Sequence, residues 1–396
     1  MRLVPRGRVL RLVTFGLAAG LGGVMAARLS AQTSAAIGLG YPVPPIDARA
    51  VGIGGTGLGL IGSSFSLINP ADMRQHENPG FGLAFAAEGT SVNGLENPLE
   101  SGRHRFNLVR AVAPFGDWAF GIAFGGVFDQ DWSVRFLDSL VLEDGVVPFE
   151  ETREHDGGIS TIDLSAARSL GPLAVGFTAQ RFTGSLRQTF NRTFDAPRGR
   201  APSLGAAGGT QTLAYEGWRF RGGLAFELSD RVMLSGAVSL KSTLRAIPDG
   251  DKEALGEVQF PTTFDLGGSV KPFPQLMLAG SVGWGAWSSV GDLGDARSHD
   301  IVQFGGGLEY DGLRLIGGQF PLRFGYRRAD LPFSNGDVPI TERALTWGLG
   351  WVFRQGVAEV NVGFDFGTRT NFAREGVEES FRRMTVSFAL RQLPRF

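Results

Sequence analysis

Cysteine is absent from the 396-residue chain, which excludes disulfides, thiolate metal sites and a lipid-anchored cysteine. Charge of either sign is not in excess, with 38 Lys and Arg against 39 Asp and Glu, so no basic face marks a nucleic-acid partner. Beyond the N-terminus there is no run of the roughly 20 consecutive apolar residues that a spanning helix needs. If the mature chain enters a membrane, it does so as strands. The four histidines, His76, His104, His155 and His299, lie far apart without ligand-like spacing, so no metal site is expected. No G-x-S-x-G elbow appears, and no cofactor or enzymatic activity is expected.

The sequence is instead rich in Gly (59 residues) and Phe (31 residues). Arg2, Arg6, Arg8 and Arg11 precede an apolar stretch from Leu12 to Met25 and small residues around Ser30 and Ala31. That order reads as a secretory signal peptide over residues 1–31.

From about Phe81 the dominant period is two. Val360, Val362, Phe364 and Phe366 alternate with Glu359, Asn361, Gly363 and Asp365; Leu345, Trp347, Leu349, Trp351 and Phe353 form a similar row. Large apolar residues point one way and small or charged ones the other. A carboxylate cannot face lipid cheaply, so the polar rows belong on an interior. About fourteen such runs fall near residues 81–88, 104–113, 117–128, 160–170, 173–183, 217–228, 231–241, 260–271, 275–284, 300–310, 319–328, 343–353, 357–367 and 381–391. Short turns, among them Asp311-Gly312, alternate with long polar segments at 89–103, 129–159, 184–216, 242–259, 285–299, 329–342 and 368–380. Short turns on one side and long loops on the other are the signature of a transmembrane antiparallel β-barrel, here all-β with about 14 strands over residues 81–396. Trp118, Trp132, Trp218, Trp284, Trp287 and Trp351 are placed to form interface girdles.

Three local features invite chemistry. Gly52-Ile53-Gly54-Gly55-Thr56-Gly57 fits the G-x-G-x-x-G dinucleotide pattern but lacks the strand–turn–helix context, so it reads as a segment that must pack tightly. The carboxylates of the 129–159 segment lack a compact Ca²⁺-loop pattern and read as a solvated outer loop. Arg187, Arg192, Arg198 and Arg200 suit lipopolysaccharide phosphates, although arginines on an outer loop need no ligand.

Between Ala48 and Met73 the chain reads ARAVGIGGTGLGLIGSSFSLINPADM. The Arg-Ala start, the Gly-rich run and Asn69-Pro70-Ala71 resemble the N-terminal segment of the FadL-type outer-membrane transport superfamily. Phe324-Gly325-Tyr326-Arg327, Leu331-Pro332-Phe333 and the closing Phe381 to Leu390 are also similar to the PorV-type branch, which serves protein secretion. The resemblance implies an outer-membrane location and a monomer. It implies a hatch within residues 32–80 that includes Gly52, Gly54, Gly55, Gly57, Asn69, Pro70 and Ala71, and passive uptake of hydrophobic compounds such as long-chain fatty acids. The alternative it carries is a scaffold or cargo shuttle for secreted proteins. A kinked early strand makes a lateral opening in that family, and Gly125-Gly126 is where this chain has room for one. A terminal aromatic, here Phe396, is an assembly signal in such barrels. The implied partners are outer-membrane lipid and lipopolysaccharide, a hydrophobic small molecule and the barrel-assembly machinery.

Overall fold

The computed structural model describes residues 34–93, 99–142, 145–194, 206–250, 253–315, 317–353, 356–372 and 377–391. Fourteen strands make one closed antiparallel sheet: β1 (Gly80–Asn93), β2 (Leu99–Phe115), β3 (Trp118–Asp129), β4 (Gly145–Leu170), β5 (Leu173–Thr183), β6 (Ala207–Ser229), β7 (Val232–Ser239), β8 (Thr263–Phe273), β9 (Leu276–Gly285), β10 (Ile301–Tyr310), β11 (Leu322–Asp330), β12 (Thr341–Phe353), β13 (Ala358–Thr370) and β14 (Glu378–Leu390). Closure comes from β1 against β14, in register from Phe81↔Leu390 to Asn93↔Glu378. A sheet that closes on itself leaves few backbone groups unpaired, the condition for crossing hydrocarbon with strands.

The period-two rows sort as expected. Leu345, Trp347, Leu349 and Trp351 are exposed on the outside, while Glu359, Asn361 and Asp365 are buried within. Trp118, Trp284 and Trp351 are likewise exposed at strand ends, and Trp218 is exposed midway along β6. Trp287 is not: it lies on the 3₁₀ turn Trp287–Val290, which folds into the barrel mouth and buries the indole in an aromatic cluster.

Two expectations about connections need correction. The polar segments 129–159 and 184–216 are not irregular loops. Trp132–Leu142 pairs with Gly145–His155, Ser185–Phe194 returns against β4 and β6, and Ser242–Pro248 and Gly256–Phe260 continue the same sheet above the barrel. Alternating Phe and Thr among these charges supplies the β-propensity that the carboxylates obscure. Likewise, the link after β10 runs from Asp311 to Pro321 and holds a small hairpin, Arg314–Leu315 with Gly318–Gln319. Pro321 has no N–H to give to a ladder, so β11 begins at Leu322 rather than residue 319.

Candidate functional site: the inner segment and a gap in the wall

Residues 34–79 lie inside the barrel. Asp47 caps the short helix α1 (Ala48–Gly52): its Oδ1 accepts from Ala50 N at 2.9 Å, and its Oδ2 accepts from Ser64 Oγ at 3.1 Å and Phe65 N at 3.2 Å. One carboxylate therefore ties two parts of the segment together. Past the helix, Gly54 and Gly55 adopt φ of 70° and 78°, a conformation that L side chains resist. This order also disposes of the dinucleotide pattern, since the helix precedes the glycines instead of following them.

The glycine run meets glycines in the wall. A Cβ on Gly54 would lie 2.5 Å from both Gly306 O and Tyr326 O, and one on Gly325 would lie 2.3 Å from Gly54 N. Backbone packs directly on backbone there. Gly52 faces Gly348, whereas Gly57 packs within the segment against Ile46.

Asn69, Pro70 and Ala71 dock on β5, β6 and β7. Asn69 Oδ1 accepts from Ala71 N at 2.9 Å, while its Nδ2 donates to Leu224 O at 2.8 Å and to Ser235 Oγ. Pro70 then sets the first turn of the 3₁₀ helix Pro70–Gln75. Wall glycines again make room: a Cβ on Gly176 would reach Ala71 N at 2.5 Å. Asp72 accepts from Gly59 N at 3.1 Å and Ser235 Oγ at 2.9 Å. Burial outweighs these donors and raises its pKa from the usual carboxylate range to about 6.

Charge fixes the segment further. Arg49 pairs with Glu309 of β10 at 2.8 Å, and Glu309 also takes Arg323 at 2.6 Å. Arg110 of β2 and Arg221 of β6 donate to the carbonyls of Ser66 and Leu67. Nearer the long loops, Glu88 collects Arg103, Arg105, Arg369 and Arg383 at 2.7–2.9 Å. Tyr41 sits among these guanidinium groups, donating its hydroxyl to Glu342 at 2.9 Å and accepting from Arg383 at 2.6 Å. Sequence reasoning missed this network. Its only signal was parity, which places Arg103 with Arg105 and Arg369 with Asp365 on the inner face.

The ladder between β2 and β3 stops short of the strand ends. Pairing between β2 and β3 runs from Phe115↔Trp118 only as far as Leu108↔Gly125. The β3–β4 register then shifts between Gly126 and Phe128. Beyond this point β3 pairs with the inner segment instead of β2: Pro42↔Phe128 and Tyr41↔Asp129, with Val43 N donating to Val127 O at 2.9 Å. Gly125 and Gly126 thus stand where the ladder ends, and Cβ atoms there would strike Leu67 and Val43 at 2.7 and 2.9 Å. Arg105 of β2 reaches Asp129 of β3 at 3.2 Å across the gap.

Phe128 on the rim of the gap belongs to an aromatic cluster in the barrel mouth. Its ring centroid lies 5.9 Å from that of Phe260 and 5.5 Å from that of Trp287, and Trp287 lies 5.6 Å from Phe333. Ile37 and Leu39 of the inner segment fill in around them. A cavity of about 80 Å³ beside the glycine run has a mixed lining, with Ile46, Leu58 and Ile68 of the inner segment on one side and Asp265, Gln303, Arg327 and Asp365 of the wall on the other.

No protein-family model and no curated protein matches the sequence. Solved structures do. The toluene transporter TbuX of Ralstonia pickettii superposes with a TM-score of 0.58 at 17% identity over 89% of this chain and 99% of its own. The chain has the fold of the FadL-type outer-membrane transport barrels. A FadL homologue of Pseudomonas aeruginosa (TM-score 0.57, 14% identity, 88% of this chain and 98% of its own) and the Pseudomonas putida toluene transporter TodX (0.55, 17%, 89% and 100%) share this FadL-type fold. Phe396 and residues 1–31 lie outside the described residues. Among the described residues no group of three or more His, Asp or Glu side chains is placed to hold a metal ion.

Proposed function

We propose that the protein is an outer-membrane channel that takes up hydrophobic small molecules passively and releases them sideways into lipid through the gap between β2 and β3. The observation that carries this reading is the end of the β2–β3 ladder at Leu108↔Gly125, directly beside Phe128 of the aromatic cluster. An apolar molecule entering between the long loops meets a low-polarity surface, and the gap lies at its edge. The alternative way down passes the buried charges of Arg327, Asp365 and Arg383 on the wall of the inner cavity, which disfavour hydrocarbon. Residues 34–79 serve as the hatch, and Tyr41–Val43 as the part of it that shuts the gap. The neighbours named as toluene transporters support a compact apolar cargo, and fatty acids fit the same chemistry.

A second reading, a component of protein secretion, draws on the six extracellular strands between Trp132 and Phe260, which offer a broad recognition surface. Uptake of labelled toluene and labelled oleate into cells expressing the chain separates the two. Faster entry of both, with no gain for a sugar of similar size, is expected; no gain for either apolar compound would sink the channel reading.

A further inference from the structure

The outer surface carries charge where the apolar band ends. Near their ends towards the long loops, the outward rows of β11, β12 and β14 carry Arg328, Arg343 and Arg382. Arg328 and Arg343 stand directly opposite one another, an arrangement that like charges disfavour unless an anion lies between them. Arg382 faces Phe366, which itself faces Leu345, so two strand spacings, about 10 Å, separate β12 from β14. Arg343 and Arg382 are exposed and make no hydrogen bond or ion pair among the described residues. Arg328 reaches only Asp330, at 3.7 Å, and its Nε has no partner. One outward position further into the band, Tyr326, Leu345 and Met384 are exposed apolar surface, Leu345 at 67%.

We infer that these three arginines form a binding site for a phosphorylated glycolipid of the outer leaflet, with phosphates on the guanidinium groups and acyl chains along Tyr326, Leu345, Phe366 and Met384. Guanidinium forks suit phosphate oxygens, and a phosphate beside Arg328 and Arg343 removes their repulsion. A free inorganic anion would use the arginines but leave the apolar row beneath them empty. The three cations outnumber Asp330 and Glu378, the carboxylates at the loop ends of the same outward rows, and keep the site net positive. This inference does not depend on what the barrel transports.

The test is native mass spectrometry of the detergent-solubilised full chain titrated with bisphosphorylated lipid A. Wild type is expected to bind it saturably, and R328Q/R343Q/R382Q to lose at least tenfold in affinity. R135Q/R245Q, which removes two exposed arginines of the extracellular strands, should bind like wild type. Equal binding by the triple variant, or equal binding of fully dephosphorylated lipid A, would overturn the site. Displacement of lipid A by millimolar inorganic phosphate would overturn the glycolipid in favour of a free anion. Should the triple variant fail to assemble, R343Q and R382Q singly replace it; both side chains are unpaired, and each is expected to weaken binding about threefold.

Discussion

Beyond the end of the β2–β3 ladder the two strands are bridged by the Arg105–Asp129 ion pair and by the inner strand Tyr41–Pro42, and a covalent lock on that strand tests the proposed exit. Tyr41 and Pro42 form a two-residue ladder with β3, to which Val43 N adds one bond to Val127 O. At about 1 kcal/mol net for each backbone bond, the ladder contributes about 3 kcal/mol. The Tyr41 hydroxyl, held between Glu342 and Arg383, is charge-assisted and adds about 3 kcal/mol. Together these hydrogen bonds amount to about 6 kcal/mol, and burial of the Tyr41 ring among Arg103, Arg105, Arg369 and Arg383 adds to that.

Replacing Pro42 and Phe128 by cysteine places the pair at cross-strand partners, whose typical Cα separation of about 5 Å suits a disulfide. The native chain has no cysteine to interfere. In vesicles, uptake of labelled oleate should fall more than tenfold in the oxidised protein and return on reduction, so the reduced form controls for the loss of the Phe128 ring. Unchanged uptake with the crosslink verified by mass would refute the gap as the exit.

Four further outcomes follow from the contacts. Gly325→Val brings carbon atoms onto Gly54 N, where even a Cβ would lie at 2.3 Å; overpacking of about 1–3 kcal/mol should loosen the inner segment and raise planar-bilayer conductance, with heat-dependent gel mobility retained. Replacing Asn69 and Pro70 by Ala removes the bonds to Leu224 O and Ser235, about 1–3 kcal/mol, and should raise conductance or alter uptake in an assembled barrel. Glu309→Gln leaves Arg49 without its carboxylate and should lower stability by about 3–5 kcal/mol, read as a lower temperature of gel-mobility shift. Because Asp72 is held at about 6, its protonated form is favoured when docked, so docking weakens as pH rises through 6. Conductance should therefore fall between pH 7.5 and 5, and Asp72→Asn should abolish that dependence.

The fourteen strands were legible because side-chain direction alternates with every residue, and lipid demands that one face stay apolar. Glu359, Asn361 and Asp365 announced an interior without any partner being known. Contacts made across the lumen leave no such period. Nothing near Tyr41 in sequence indicates that Arg383 and Glu342 will hold its hydroxyl, since barrel closure brings them together. Trp287 reads as an interface residue because it follows an outward row at Trp284, yet a 3₁₀ turn redirects it. The abundance of glycine was a signal of a different kind: Gly176, Gly223, Gly305 and Gly325 are notches in the wall that receive the inner segment, and a strand pattern alone does not distinguish a notch from a bulge.

The interior divides by polarity, and that division favours a direction of travel. Around β1, β2 and β11 to β14, buried arginines and carboxylates are paired at 2.5–2.9 Å, and separating them to admit an apolar molecule would expose charges to a poor solvent. On the other side Phe128, Phe260, Trp287 and Phe333 pack into a buried aromatic cluster, with Arg219 over the Phe260 ring at 5.8 Å. On the proposed channel reading, a hydrophobic cargo that enters on the aromatic side leaves most of the ion pairs that anchor the inner segment intact, and the Tyr41 hydroxyl is the part of that network it has to release. Its first strand, Tyr41–Pro42, pairs with Phe128 and Asp129 where the β2–β3 ladder has ended, next to the Arg105–Asp129 ion pair. On that reading, a short strand beside a strongly anchored body would let the wall part laterally while the rest of the inner segment stays in place.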